Sequence, residues 1–290
     1  MSRVVVVGDV MLDVVVRPLG DLAPTSDTPA EVRVSRGGAA ATLASALAAA
    51  GHDVRFVGAA GDDEVAELVV GALRRAGVEP QLWRAPTRTG VVVALVAPDG
   101  QRAMLTDRGA NSRLDAGFVR SRVDDCDHVH VSGYSVLDDA TRALASSTLR
   151  EARAGGVSTS VDVCSVAPLT RLGGGVFRDA VAGADFLFAN AEEALVLAGT
   201  DDEEAAVDVL AAAFGEVLVT RGARGARAVR GARRWSVPAR AARVVDTTGA
   251  GDAATGAYLA ARLDGLDVPT SLERAMDAGA RAVGSLGASF

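Results

Sequence analysis

Lysine is absent from this chain of 290 residues, and all 30 of its basic residues are arginines. This excludes a Walker-type phosphate loop, because the lysine of that loop reaches the β- and γ-phosphates. Enzymes that bind pyridoxal phosphate or a carbonyl substrate through a covalent lysine are excluded as well. Any phosphate that the chain binds must be held by backbone amides, by a metal ion or by arginine.

Aromatic residues, cysteines and long apolar runs are also scarce. Aromatic residues make up 4% of the chain, so alanine, valine and leucine must fill its interior. Cys126 and Cys164 have neither a metal-binding nor a redox spacing, and we expect unpaired thiols in a cytoplasmic protein. The longest stretch of small apolar residues, 39–50, is too short and too rich in alanine to span a bilayer. We therefore expect a cytoplasmic protein with no membrane partner.

The charge balance bears on partners and on domain organisation. A formal net charge of −7 argues against a nucleic-acid binder, which normally carries a basic face. Hydrophobic residues at 49% and charged residues at 23% are typical of a globular protein. The length fits one large α/β domain, so we predict a single unit over residues 1–290.

From residue 127 onward, short β-branched runs alternate with segments of helical periodicity. The predicted strands are 127–131, 158–163, 185–188 and 215–219, followed by a hairpin over 226–237 that turns on Gly231. The predicted helices are 138–154, 191–198, 203–213, 250–263 and 270–286. This alternation predicts a mostly parallel sheet that is covered by helices on both faces. Ligands of such sheets lie beyond the carboxyl ends of the strands.

The first part of the chain adds a second feature. Strands over 3–8 and 53–57 and helices over 38–50 and 62–76 follow the same alternation. Four extended segments, at 13–17, 31–35, 91–97 and 103–106, do not follow it, and they predict a small sheet that projects from the main body. The exposed edge of such a sheet makes a homodimer paired through it a plausible hypothesis.

The most informative segment reads Val-Val-Asp-Thr-Thr-Gly-Ala-Gly-Asp over residues 244–252. Gly249 and Gly251 have no side chain, and with the amides of Ala250 and its neighbours at a helix start they predict an anion site. Asp252 in the first turn would repel a phosphate, so its expected role is to accept a proton from the attacking hydroxyl. The alternative is a capped helix start in which Asp252 complements the helix dipole.

Segment 246–252 resembles the C-terminal signature of ribokinase-like (PfkB-type) sugar kinases, and other motifs follow in the order of that family. These are Asp13 after the first strand, Gly37-Gly38 before an alanine-rich helix, segment 58–63, Asn190-Ala-Glu-Glu193, segment 220–225 and the ending 278–288. The resemblance covers essentially the whole chain. It implies a three-layer α/β/α fold with a mostly parallel central sheet and a small β-sheet lid, formed by segments near 13–35 and 89–107.

The resemblance also implies ATP-dependent phosphoryl transfer to a sugar hydroxyl, with Mg²⁺ as cofactor. Asp252 is then the base, and the amides of Gly249, Ala250 and Gly251 form the anion hole. Asn190 and Glu193 would place Mg²⁺ through water, although helix capping explains this pair equally well. The remaining implied contacts are Thr220, Gly222, Gly225 and Thr247 for the nucleotide, Asp13, Gly37, Gly38 and Thr42 for the acceptor, and Asp246 for a monovalent cation. The sequence ends at Phe290, shortly after the last motif, where family members often continue and complete a potassium site. We therefore leave activation by K⁺ open.

Departures from the family pattern concern the acceptor. Thr42 stands where the family commonly has asparagine, and segment 162–166 lacks the Asn-x-Arg of many kinases that act on sugar acids. We therefore expect a neutral polyhydroxylated acceptor, a monosaccharide first and a nucleoside second. Arg33, Arg102 and Arg108 near the small sheet leave an acidic sugar open. A nucleoside kinase and a non-catalytic sugar-binding regulator are the alternative functions.

Overall fold

The computed structural model describes residues 1–97, 102–242 and 249–284. Its strands are β1 (Arg3–Val7), β2 (Met11–Pro18), β3 (Ala30–Gly37), β4 (Asp53–Ala60), β5 (Glu79–Arg84), β6 (Gly90–Val96), β7 (Arg102–Asp107), β8 (His128–Val131), β9 (Ser158–Asp162), β10 (Phe186–Asn190), β11 (Glu216–Thr220), β12 (Ala226–Arg230) and β13 (Arg233–Val237). Its α-helices are α1 (Ala39–Ala49), α2 (Glu64–Arg75), α3 (Ala116–Arg120), α4 (Gly133–Leu137), α5 (Arg142–Ala154), α6 (Val166–Leu172), α7 (Gly174–Ala180), α8 (Ala191–Ala198), α9 (Glu203–Ala213), α10 (Ala250–Leu263) and α11 (Val268–Val283).

A nine-stranded sheet in the order β13-β12-β11-β10-β9-β8-β1-β4-β5 forms the centre of the molecule. All neighbours from β11 to β5 pair in parallel, and the hairpin of β12 and β13 adds two antiparallel pairings at one edge. The mostly parallel sheet predicted from the alternation of strands and helices is confirmed. So is the hairpin, with Gly231 at a positive φ of 56° in its turn.

Helices cover both faces of this sheet, because the inner strands are apolar on both sides. In β1, Val5 and Val7 point into one hydrophobic cluster while Val4 and Val6 point into the other, and all four are fully buried. The first cluster contains residues of α3, α5, α7, α8 and α9. The second contains residues of α1, α2, α10 and α11. The result is the predicted three-layer α/β/α arrangement.

The second sheet has four strands in the order β3-β2-β6-β7 and is called the small sheet below. Its register places Asp13, Val92 and Thr106 side by side in one row across β2, β6 and β7. The neighbouring row, on the opposite face, consists of Val34, Val14, Val93 and Leu105. The first face therefore carries polar groups. The second, called the aliphatic face below, is aliphatic in its middle, while its end row also holds Arg36 and Asp107.

The sequence missed several short elements and placed one helix start too early. The helix predicted over 138–154 begins at Arg142 as α5, because the carboxylate of Asp138 turns the chain before it and accepts a hydrogen bond from the Ala140 amide at 3.0 Å. The short helix α4 precedes the predicted range. Strand β5 was not predicted, since Pro80 disfavours a strand except at a sheet edge, which is where β5 lies. The predicted end of the last helix at 286 lies outside the described residues.

The two histidines of β8 have a structural role. His128 and His130 are fully buried. His128 Nε2 lies 2.7 Å and His130 Nδ1 2.8 Å from the Ser160 hydroxyl on β9. Burial lowers the pKa of His128 to about 3, so this ring stays neutral.

In residues 1–97, 102–242 and 249–284, each helix falls short of the length and apolarity that crossing a membrane requires.

Candidate active site

The carboxyl ends of the parallel strands meet at one edge of the central sheet, and polar residues lie at these ends. Asp162 ends β9, Asn190 ends β10 and Thr220 ends β11, while Asp9 follows β1. Asn190 and Thr220 are direct register partners across β10 and β11. The topology thus brings residues from four separate motifs to one edge.

A cavity of about 590 Å³ lies between this edge and the polar face of the small sheet. Its walls include the predicted residues Asp13, Gly38, Thr42, Gly249 and Asp252. Residues that the sequence did not single out also line it, namely Asp9, Met11, Ala39, Val92, Met104, Thr106, Tyr134, Leu137, Asp138, Cys164, Ser165, Pro168 and Arg171. The predicted acceptor and catalytic residues therefore converge on one space.

Asp252 lies in the first turn of α10, which begins after Gly249 in the left-handed conformation with φ 73°. A Cβ atom added at Gly251 would meet no atom within 4 Å, so the backbone here is open to a ligand. The first amides of any helix have no intrahelical partner. Together with the helix dipole, the amides of this turn can bind an anion beside Asp252.

The carboxyl of Asp252 is surrounded by other acids. Burial raises its pKa to about 8, and the charges of Asp162, Asp9 and Glu193 add to this shift, whereas the charge of Arg36 opposes it. No hydrogen bond joins this carboxyl to another residue in the part of the chain that the structure describes. It is thus a half-buried acid that lines the cavity, has a raised pKa and is not hydrogen-bonded by the described residues, which are properties expected of a general base.

Asp9 is a member of the site that sequence reasoning missed. Its side chain is 2% exposed, and it accepts hydrogen bonds from the Ala39 amide at 3.0 Å and the Ser132 hydroxyl at 2.9 Å. The carboxylate therefore sits at the N-terminus of α1, where the helix dipole favours negative charge. The feature of the sequence that could have indicated Asp9 is its position two residues after the last residue of the buried strand β1.

Two glycines are required by the close approach of Asp13 and of the Asp9 backbone. A Cβ atom at Gly37 would lie 2.0 Å from an Asp13 carboxylate oxygen. A Cβ atom at Gly38 would lie 2.5 Å from the Asp9 carbonyl oxygen. The φ of Gly38 is 98°, a backbone conformation that disfavours any residue other than glycine. Burial raises the pKa of Asp13 to about 6, with Arg36 opposing the shift and Asp9 adding to it.

Arg36 is a second missed residue, and it changes the interpretation of Thr42. Arg36 is 9% exposed, and its Nη1 donates a hydrogen bond of 3.2 Å to the Thr42 hydroxyl. Burial lowers the pKa of Arg36, and the charges of Asp13 and Asp252 oppose that shift. Thr42 thus orients a buried cation between two carboxylates, and its hydroxyl hydrogen remains available to an acceptor.

Asn190 and Glu193 form a reciprocal capping box at the start of α8. The Asn190 side chain accepts from the Glu193 amide, the Glu193 side chain accepts from the Asn190 amide, and both bonds measure 2.9 Å. Glu193 is 5% exposed, and burial raises its pKa to about 7. The predicted helix-capping role of this pair is therefore confirmed. The charge of Glu193 also contributes to the raised pKa of Asp252.

The predicted nucleotide residues surround the carboxyl end of β11. Thr220 ends this strand, and the Arg221 amide donates to the Gly225 carbonyl at 2.7 Å to close the following loop. Gly222 and Gly225 have positive φ values of 55° and 87°. They do not line the cavity described above. Asp246 and Thr247 lie outside the described residues.

The donor set of this edge fits Mg²⁺ that is bound jointly with phosphates. The described residues contain no cluster of three or more acidic, histidine or cysteine side chains arranged as a metal cage. Mg²⁺ commonly takes one or two carboxylates and completes its octahedron with water and substrate phosphates. The mutual repulsion that raises the pKa of Asp252 would be relieved by such a cation.

Comparison with known proteins agrees with this site. The model of the pfkB family of carbohydrate kinases matches residues 1–290. The chain belongs to this family. An ATP-dependent ribose-1-phosphate kinase from Halopiger xanaduensis is 34% identical over 99% of this chain and 94% of its own length. As a pfkB member the chain is an ATP-dependent sugar kinase, which sets aside the non-catalytic regulator.

Solved structures support the same fold. A probable sugar kinase from Rhizobium etli superposes with a TM-score of 0.90 at 25% identity, over 99% of this chain and 94% of that chain. A putative ribokinase II from E. coli, solved with ATP and Mg²⁺, superposes with a TM-score of 0.86 at 24% identity, over 99% and 94%. The ribokinase-like fold expected from the sequence motifs is confirmed.

The raised pKa of Asp252 predicts a pH-dependent cost in stability. The folded-state pKa of about 8 exceeds the ordinary value of 3.8, so the native state binds more protons between these values and its stability falls as pH rises. Asp252→Asn removes this penalty. We expect its Tm to exceed that of the wild type by several degrees at pH 8, corresponding to roughly 1–3 kcal/mol, with the difference shrinking toward pH 5. The exposed Asp62→Asn is the control, and a difference between Asp252→Asn and wild type that does not vary with pH would contradict this account.

Proposed function

We propose that this kinase transfers the γ-phosphoryl group of ATP to a primary hydroxyl of a sugar bound in the cavity, with Asp252 as the base. The observation that carries the proposal is the convergence of Asp252, which is half-buried and makes no hydrogen bond to the described residues, and of the open helix start at Gly249 on the space lined by Asp13, Gly38 and Thr42. A base, an anion site and hydroxyl-binding groups are the parts that the reaction needs.

The reaction can be followed atom by atom. The acceptor oxygen attacks the γ-phosphorus as its proton passes to Asp252, and the bond from the γ-phosphorus to the bridging oxygen of ADP breaks. The amides of Gly249, Ala250, Gly251 and Asp252 stabilise the negative charge on the transferred group. Asp13 and Thr42 orient the acceptor hydroxyls, and Arg36 holds both side chains in place through its charge and its hydrogen bond.

The nucleotide is bordered by the strand ends beside this cavity. Mg²⁺, when bound, would neutralise part of the negative charge of the ATP phosphates. Asn190 and Glu193 would hold it through water, since their direct hydrogen-bonding capacity is partly used by the capping box. Thr220, Gly222 and Gly225 border the nucleotide in this proposal, while the roles that the family resemblance implies for Thr247 and Asp246 concern residues outside the described ranges.

The small sheet acts as the lid of the site in this proposal. Its row of Asp13, Val92 and Thr106 faces the cavity, so movement of the sheet toward the main body would enclose the acceptor and exclude water. The lid residues described at the cavity are aliphatic, sulfur-containing or polar, which favours a sugar over a flat nucleobase. Because the relative from Halopiger xanaduensis is named for a phosphorylated sugar, sugar phosphates belong among the acceptors tested.

The central test is Asp252→Asn in an assay of ADP release over sugars, sugar phosphates and nucleosides. Loss of a general base predicts a fall in kcat of about 10²-fold or more with the best acceptor, while ATP binding is retained. Near-wild-type far-UV circular dichroism shows that the variant is folded. A fall of less than tenfold would mean that another group removes the proton.

The role of Glu193 in the metal site can be separated from its role in the capping box. Glutamine also serves at the third position of a capping box, so Glu193→Gln keeps the helix start and removes the charge. We expect the Mg²⁺ concentration for half-maximal rate to rise by about three- to tenfold, since a carboxylate that orients metal-bound water is lost. The exposed neighbour Glu192→Gln should leave it unchanged. Equal Mg²⁺ dependence in both variants would leave capping as the role of Glu193.

We also propose that two copies of the chain pair through the aliphatic face of the small sheet. Val32, Val34 and Leu105 on this face are 57%, 54% and 59% exposed, although they are aliphatic. The rows that contain them, 14, 34, 93 and 105 and then 16, 32, 95 and 103, hold no charged residue. Such a face is complementary to a second copy of itself.

Light scattering at micromolar concentration tests this pairing. We expect the wild type to have twice the chain mass of 29.4 kDa and Val34→Asp to have the mass of one chain, because a buried unpaired carboxylate is costly. Val176→Asp, at a valine 48% exposed on α7, should remain dimeric. A wild type of single-chain mass would remove the proposal.

A further inference from the structure

Two arginines line the acceptor cavity outside the phosphoryl-transfer residues already described. Arg108 directly follows strand β7 of the small sheet, and Arg171 lies in the last turn of α6 on the main body. Neither is among the charges that act most strongly on Asp252, which are Asp162, Asp9, Glu193 and Arg36. The two guanidinium groups therefore mark a part of the cavity that the transfer step leaves without a role.

Arg108 is held in a fixed position by its neighbours. Its Nε donates to Asp138 at 3.2 Å, and its guanidinium lies over the Tyr134 ring at 5.3 Å from the ring centre. Asp138 is anchored in turn by the Ser112 hydroxyl and the Ala140 amide. Within the described ranges, the two terminal nitrogens of Arg108 make no hydrogen bond. A rigid arginine with both terminal groups free is suited to bind an oxyanion.

Arg171 reaches the same cavity from a different wall. Ser165, Pro168 and Arg171 recur at intervals of three, so they share the side of α6 that lines the cavity. Throughout residues 1–97, 102–242 and 249–284, no carboxylate forms an ion pair with Arg171. Of the acids that line the cavity, Asp138 pairs with Arg108, and Asp9 accepts from the Ala39 amide and the Ser132 hydroxyl. Arg171 is exposed, so its guanidinium is accessible to a ligand that enters the cavity.

We propose that Arg171 and Arg108 bind the phosphate of a phosphorylated sugar, so that the acceptor is a sugar phosphate whose free hydroxyl faces Asp252. The proposal rests on the proposed kinase function and names its substrate class. It replaces the neutral acceptor that we expected from Asp13 and the two glycines. Those residues concern only the part of the cavity that binds hydroxyl groups. Two guanidiniums favour a dianionic phosphate over a carboxylate, because each can donate paired hydrogen bonds to it. The product is a sugar bisphosphate and ADP.

Steady-state kinetics with matched acceptors test the assignment. Ribose 1-phosphate and fructose 1-phosphate are each compared with the unphosphorylated sugar, and 2-keto-3-deoxygluconate represents a sugar acid. We expect the wild type to prefer a phosphorylated acceptor, and Arg171→Gln to lower kcat/KM for it about 10- to 100-fold, mainly through KM, as expected for one lost charge-assisted hydrogen bond. The KM for ATP and the rate with the parent sugar should change less than threefold. The exposed Arg150→Gln, on α5 away from the cavity, should behave as the wild type.

Preference of the wild type for an unphosphorylated sugar or for the sugar acid would overturn the proposal. Equal losses with phosphorylated and parent sugars in Arg171→Gln would overturn it as well, since they indicate a structural effect. A binding measurement separates this proposal from the kinase mechanism. Calorimetry with ribose 1-phosphate and fructose 1-phosphate on Asp252→Asn, with and without Arg171→Gln, reports the anion site when no turnover occurs. Binding that requires Arg171 supports the site even if the role of Asp252 fails, and no binding to either protein overturns it.

Discussion

Repulsion among carboxylates at the carboxyl edge of the parallel sheet is the constraint on which this site depends. Asp9, Asp162 and Glu193 each accept a hydrogen bond from a backbone amide, which keeps them in place. Asp252 makes no such bond to the described residues, and the other three charges add to the effect of burial on its pKa. The acid that is least stabilised as an anion is therefore the one best able to take up a proton, and in the proposed mechanism the surrounding acids help this base by raising its pKa.

Because the chain has no lysine, the positive charge at this acidic edge of the sheet must come from arginine and from backbone amides. Arg36 is the buried cation, held by Thr42 and acting on both Asp13 and Asp252, so it joins the acceptor end of the cavity to the catalytic end. Since arginine stays charged at every working pH, this link does not titrate with the neighbouring acids. Further positive potential comes from the amides at the start of α10, which are fixed by the fold. The same features that raise the pKa of Asp252 also cost stability, as is common where function requires buried acids.

The sequence predicted the parts of the fold and site that are encoded locally. The alternation of strands and helices and the helix start at Gly249 each depend on neighbouring residues, so they were found correctly. Asp9 and Arg36 were not found, because their positions in the site depend on residues that are distant in the chain. Asp9 accepts from Ala39 and Ser132, and Arg36 is buried near the charges of Asp13 and Asp252. The start of the predicted helix 138–154 was placed too early for the same reason, since Asp138 is hydrogen-bonded by Ser112 and Arg108 from another part of the chain.

The two ends of the cavity are built in different ways, and this has a consequence for specificity. At the transfer end, Gly38 is fixed by the close approach of the Asp9 carbonyl oxygen, and α10 presents the open backbone of its first turn. The opposite walls consist of side chains, among them Arg108, which contacts Tyr134 and Asp138, and Arg171 on α6. In the proposed mechanism, a substitution at Arg171 changes the charge offered to the acceptor, while Asp252 is carried by a different helix. We therefore expect acceptor choice to vary independently of the chemistry, because the residues proposed to set it belong to separate elements.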